Sequence, residues 1–213
     1  MPTHVRIYDV TQTINSSMPL YPGDPGFSRE MLKSLERGDL YTLSALHLSA
    51  HTGTHLDAPS HYISNGRSVH EIPIERLIMI VDIIDAGMVV RPDSLFGLNT
   101  SAEGVIFRTG SLRGYITESA ARACVDLKLK LIGTDALSVD SSEEDVVHRI
   151  LLSNDILILE GLYLGGVPAG IYTLLCMPLK IEGAEASPVR AILAPPEWCC
   201  GTSVNTSPGR SRS

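Results

Sequence analysis

The sequence predicts a mixed α/β domain, and three observations carry that prediction. Short aliphatic runs of strand length, such as LIMIVDII at 77–84, recur along the chain. Stretches with helical spacing fall between them, around 117–129 and 141–152. The 213 residues, 44% hydrophobic and 19% charged, suffice for one core with little left over for a second.

The elements follow in order. Residues 5–12 have the β-branched and aromatic content of a strand, and NSSMPLYPGDPG after them is a long loop dense in Pro and Gly. Residues 41–50 alternate, with Leu46, Leu48 and Ala50 on one face and His47, Ser49 and His51 on the other, as in a strand with one polar face. Buried strands are expected at 77–84, 104–107, 130–133 and 156–159. Between them, 117–129 places Ala120, Ala121, Cys124 and Leu127 near one helical face. Ser141 and Glu144 form a capping-box pattern for a helix running to about Leu152. Strands at 172–181 and 189–194 complete the sheet. Residues 1–198 thus read as one domain, and 199–213, rich in Ser, Gly and Arg, as a flexible tail.

Composition excludes several functions. Seventeen Lys and Arg against 24 Asp and Glu give a net charge of −7, which leaves no basic surplus for nucleic acid. No apolar run reaches membrane-spanning length, since Asp82 interrupts the longest, and the first residues lack a secretory apolar segment. The four cysteines form no C-x-x-C pair and two are adjacent, which fits a reducing compartment and a cytoplasmic protein. There is no P-loop, G-x-G-x-x-G or G-x-S-x-G motif, and Cys124 and Cys176 lie in apolar stretches where thiols are inert.

The chemistry is concentrated in HTGTHLDAPSH, from His51 to His61. His51, His55 and Asp57 offer two imidazoles and a carboxylate at close spacing, with Gly53 permitting a tight bend and Pro59 stiffening the exit. Such a set converges on one divalent cation. His47 lacks that support and reads as structural. Downstream, His148 lies on the apolar face of its helix and Glu160 ends a buried strand, where an ionised carboxylate needs a cation or several donors. A satisfied core histidine and a capped or Arg-paired carboxylate are the alternative readings of these two.

HTGTHLDAPSH, the H-x11-E of HRILLSNDILILE, and LKIEGAEASPVRAIL together resemble the metal-dependent cyclase family of hydrolases, which includes bacterial kynurenine formamidases. The resemblance runs from about residue 5 to 193. It implies a swivelling β/β/α-type mixed sheet with flanking helices and a homodimer or homotetramer. It also implies two divalent ions, zinc first and manganese as the alternative. His51, His55 and Asp57 would hold one ion, and Asp57, His148 and Glu160 the other. His61 takes the family's general acid/base position, and Tyr21 that of an aromatic residue lining the substrate pocket. The implied activity is hydrolysis of an aryl formamide, N-formyl-L-kynurenine to L-kynurenine and formate, with isatin-like cyclic amides or lactones as alternative substrates. One departure stands out: Tyr21 opens a Y-P-G-D stretch where the formamidases tend to carry Trp. A metal-stabilised binding protein without catalysis is the remaining reading outside the enzymes, because ligand count alone does not show an open coordination position.

Overall fold

In the computed structural model, residues 6–141 and 145–198 are described. The strands and helices are, in order, β1 (Tyr8–Asp9), β2 (Ser28–Lys33), β3 (Leu43–His47), β4 (His55–Asp57), β5 (Ile78–Asp85), β6 (Val89–Val90), β7 (Gly104–Arg108), β8 (Tyr115–Ile116) and α1 (Glu118–Asp126). Then come β9 (Leu131–Thr134), α2 (Val146–Ser153), β10 (Leu157–Glu160), β11 (Gly170–Pro178) and β12 (Ala186–Ala194). No helix among the described residues is long and apolar enough to cross a membrane.

The main sheet runs β1, β12, β11, β5, β7, β9, β10, β4, and β4 pairs back onto β12, so the strands from β12 to β4 close into a ring with β1 on its edge. The β5, β7, β9 and β10 ladders are parallel, while β11, β12 and β4 are joined antiparallel. Side chains alternate across each strand. One set, including Leu56, Val81, Ile106, Leu131, Leu157 and Leu174, packs together with at least one member from nearly every strand of the ring. The opposite set, Val105, Phe107, Ile132 and Ile158, meets Ala120, Cys124, Val147 and Leu151 of the two helices. Each such Leu or Ile contributes about 1.5–3 kcal/mol by leaving water.

This alternation positions the chemistry. With Leu56 and Leu159 packed in the first cluster, His55 and Asp57 of β4 and Glu160 of β10 point to the opposite face, the one that Ile158 shares with α2. Closing the ring is what brings β4 against β10, with His55 paired to Glu160 in register.

The expected mixed sheet with flanking helices is present, with several corrections to its elements. The strand at 5–12 contracts to Tyr8–Asp9, Val5 lying outside the described residues. The strand at 41–50 is only Leu43–His47, and it pairs with the unanticipated β2 in a separate hairpin. His47 and His51 therefore do not share a strand face: the chain turns between them, and Leu46 and Leu48, expected on an apolar face, are exposed. His47 lies near Glu30 on the exposed hairpin. Leu127 falls just past α1, which Thr117 caps by accepting from the Ala120 amide and which ends at Asp126, and is exposed. Helix α2 begins at Val146 rather than Ser141. Of the expected capping box, Glu144 lies outside the described residues, as does the proposed tail at 199–213. Finally β11 ends at Pro178 instead of 181, and β12 starts at Ala186 instead of 189.

Candidate metal centre

Six of the seven predicted site residues line one cavity of about 310 Å³: Tyr21, His51, His55, His61, His148 and Glu160. Asp57 lies at its floor with zero exposure. His51 comes from the turn before β4, His61 from the short helical turn Pro59–His61, and His148 from α2.

Asp57 is the hub. Its Oδ1 is 3.1 Å from His51 Nδ1 and 3.5 Å from His55 Nε2, while its Oδ2 is 3.4 Å from His148 Nε2. Glu160 lies 3.3 Å from His55 Nε2 and 3.4 Å from His148 Nε2. Both Asp57 oxygens and His55 Nε2 are buried without a hydrogen-bond partner. Burying such groups unpaired is costly, and a cation among them removes the cost. The donor set, imidazole nitrogens and carboxylate oxygens, suits zinc or manganese, so these residues fit a divalent ion.

Two subsets of donor atoms lie within 4.8 Å of one another: His51, Asp57 and His61, and His55, Asp57 and Glu160. Asp57 belongs to both. The grouping differs from the expected one in placing His55 with Glu160, its cross-strand neighbour, rather than with His51.

Neighbouring groups aim the rings. His55 Nδ1–H donates to the Gly53 carbonyl at 2.9 Å, leaving Nε2 to face the carboxylates. Glu185 stands 3.4 Å from His51 Nε2. The Val139 amide donates to Glu160 Oε1 at 2.6 Å, and Asp140 Oδ2 accepts from His148 Nδ1–H at 2.6 Å. The sequence reading did not single out Asp140 or Glu185. An Asp just before an amphipathic run is a helix-start signal that finds Asp140; no signal marks Glu185 before the fold joins it to His51.

The frame around the site depends on a close backbone approach. Gly161 follows Glu160 with φ +65°, and an added Cβ would lie 2.5 Å from the Gly53 carbonyl oxygen that holds His55. Left-handed backbone alone costs a substituted residue about 1–2 kcal/mol. Gly161→Ala is therefore expected to lose more than that in urea denaturation and to weaken zinc binding as well; unchanged values for both would contradict this geometry.

Electrostatics separate the four imidazoles. Burial disfavours the charged ring of His55, but Asp57 and Glu160 outweigh it and hold its pKa up at about 9. Burial likewise opposes charge on His148 and His51, yet Glu160 and Asp140 lift the first well above its usual value and Asp57 lifts the second. Burial alone would raise Asp57, but the His55, His148 and His51 rings pull it well below the carboxylate range. His61 goes the other way: burial pushes it down, and it has no carboxylate in ion-pair range among the described residues.

A pH dependence follows. Metal ligation needs the neutral His55 ring, so below pH about 9 an ion must displace its proton. Zinc affinity of metal-free protein is thus expected to rise with pH up to about 9, roughly tenfold per unit for each proton displaced. Calorimetry in two buffers of different ionisation enthalpy reads the protons released; an affinity flat from pH 6 to 8 would contradict it. In the metal-free protein the raised His55 contributes stability fully below pH 6.5 and loses it as pH rises through about 9.

Cys124 and Cys176 are buried and burial pushes both thiols up to about 12, consistent with inert cysteines.

The chain is similar to known proteins over most of its length. A family model described as putative cyclase matches residues 8–141. The kynurenine formamidase of Erythrobacter litoralis is 36% identical over 201 residues, covering 88% of this chain and 93% of that protein. Among solved structures, a predicted metal-dependent hydrolase from Bacillus stearothermophilus is 31% identical with a TM-score of 0.77, covering 90% of this chain and 99% of that one. Isatin hydrolase A from Labrenzia aggregata, bound to benzyl benzoate, is 25% identical with a TM-score of 0.78, covering 91% and 94%.

Proposed function

The chain belongs to the cyclase family of metal-dependent hydrolases, and we propose that it is an arylformamidase cleaving N-formyl-L-kynurenine to L-kynurenine and formate. The observation that carries the reading is the buried, unpartnered Asp57 carboxylate ringed by His51, His55, His148 and Glu160, with a further imidazole, His61, beside them. Asp57, His51, His55, His148 and Glu160 would hold the metal, two ions in our reading, zinc ahead of manganese. When bound, a divalent ion supplies Lewis acidity that polarises a carbonyl and brings the pKa of water to about 7.

The chain's own residues do the rest. His61, its ring centroid 4.3 Å from that of His51 and its pKa pushed down by burial, stands unprotonated and ready to accept a proton. It takes the proton of the attacking water as oxygen adds to the formyl carbon. It returns that proton to the aryl nitrogen as the C–N bond breaks, giving the free amine and formic acid, which releases its proton to solvent as formate. Tyr21 lines the cavity with Leu20, Tyr62 and Leu137, and offers an aromatic face to an aryl ring. A cavity open to substrate beside the candidate ligands favours catalysis over a metal that only stabilises the fold.

A cyclic amide such as isatin is the second reading, supported by the likeness to isatin hydrolase A and by Tyr21 standing where the formamidases tend to carry Trp. The partner we propose is a second copy of the chain, as a homodimer or homotetramer. The β2–β3 hairpin and its flanks expose Leu32, Leu35, Leu40, Leu43 and Leu46, an apolar surface that self-association would cover.

Zinc-loaded protein assayed in parallel with N-formyl-L-kynurenine and isatin separates the readings. Faster turnover of the formamide supports the proposal. Faster ring opening of isatin transfers it to the cyclic amides, and turnover of neither overturns both.

A further inference from the structure

Three consecutive residues, Ser138, Val139 and Asp140, address both candidate ligands that come from outside the HTGTHLD segment. The Val139 amide donates to Glu160 Oε1 at 2.6 Å, and the Val139 carbonyl accepts from the Ile116 amide at 2.8 Å. Its side chain is fully buried among the residues under the helices. Asp140, also buried, makes three contacts with α2. Its Oδ1 accepts from the Val147 amide at 2.8 Å, and its Oδ2 from the His148 amide at 3.1 Å and from His148 Nδ1–H at 2.6 Å. The Asp140 amide is itself held by Ser138 Oγ at 3.2 Å.

The two amide contacts are ordinary helix capping, since Asp145 at the helix start makes no side-chain cap bond. The third is not needed for a cap. In the neutral ring that ligation requires, a proton fixed on Nδ1 leaves Nε2 as the free lone pair, and Nε2 is the atom that faces Asp57 and Glu160. His55 and His51 have weaker counterparts: a neutral carbonyl from Gly53, and Glu185, which is half-exposed and more distant.

We propose that Asp140 is a positioning residue which, together with the Val139 amide, presets His148 and Glu160 to receive a divalent ion. The proposal rests on the reading of His148 as a metal ligand. It makes capping and metal affinity separable properties of one carboxylate. An Asn at 140 keeps one oxygen, enough for the Val147 amide in the position of Oδ1, but its NH2 then replaces the Oδ2 that accepts from His148 and presents a donor to Nδ1–H. An Ala removes both functions.

The test uses the full chain, freed of metal, with zinc alone as probe, titrated against a chromophoric chelator alongside thermal unfolding without metal. Asp140→Asn, which keeps the Val147 cap, is expected to lose less stability than Asp140→Ala yet lose about 10–100-fold in zinc affinity, the usual cost of removing a partner behind a metal-binding histidine. Asp140→Ala is expected to lose both. In zinc-loaded protein labelled with nitrogen-15, the wild type should show a His148 Nδ1–H proton that disappears in Asp140→Ala. Wild-type zinc affinity in Asp140→Asn would overturn the proposal, as would an affinity loss that simply follows the loss of stability in both variants. Wild-type protein that takes up no zinc would overturn the metal reading itself, a result distinct from either.

Discussion

Asp57→Asn is expected to abolish zinc uptake and to lower hydrolysis by more than about a thousandfold, the scale on which Lewis acidity worth several kcal/mol acts. Asp57 is fully buried, both its oxygens lack hydrogen-bond partners, and three imidazoles aim at it, so no neighbouring residue replaces its charge. The amide has the same shape and forms hydrogen bonds with the surrounding rings, which keeps the fold for comparison by circular dichroism. Without the carboxylate, the largest charge interaction holding His55 at about 9 disappears, so that ring titrates at lower pH in the variant. Metal analysis by atomic emission together with turnover checks the prediction; a variant with full zinc content and full rate would contradict it.

His61→Ala is expected to lower kcat by about 10²–10⁴-fold, the range for a general acid or base, while zinc content stays at the wild-type level. Burial distinguishes this ring from the other three: its pKa falls whereas theirs rise. In the wild type the active, unprotonated form is lost as pH drops through that lowered value, so the acid limb of the rate profile should lie below pH 6.5 and vanish in His61→Ala. Because His61 also comes within 4.8 Å of donor atoms on His51 and Asp57, zinc content is the decisive control. Loss of zinc with loss of rate would make His61 a ligand instead of the base.

Much of the site was legible because its core is local. His55 and Asp57 stand two apart, so any extended backbone puts them on one face, and Gly53 and Pro59 mark the bend and exit around them. The resemblance implies His148 and Glu160 as ligands, and in the fold His148 Nε2 lies 3.4 Å from Asp57 while Glu160 has a donor atom within 4.8 Å of it. What the sequence hid was register. That His55 faces Glu160 depends on β4 pairing with β10 across about a hundred residues of chain, and on the same short strand closing the ring against β12. Local alternation cannot reveal either. The hairpin departs from expectation for a related reason: period-two alternation at 41–50 predicts a strand with one polar face, but among the described residues β3 pairs with β2 alone and leaves Leu46 in solvent. The start of α2 was misplaced by a competing signal, since Ser141 matched a capping box while the acceptor that holds the first helical amides is Asp140 beside it.

The most direct test of a metal-dependent hydrolase is turnover of N-formyl-L-kynurenine before chelation, after chelation, and after zinc or manganese is restored to the chelated protein. The structure predicts rapid turnover that is lost on chelation with the fold retained and recovered with one of the two ions. Turnover undiminished in protein verified to be free of metal would contradict it.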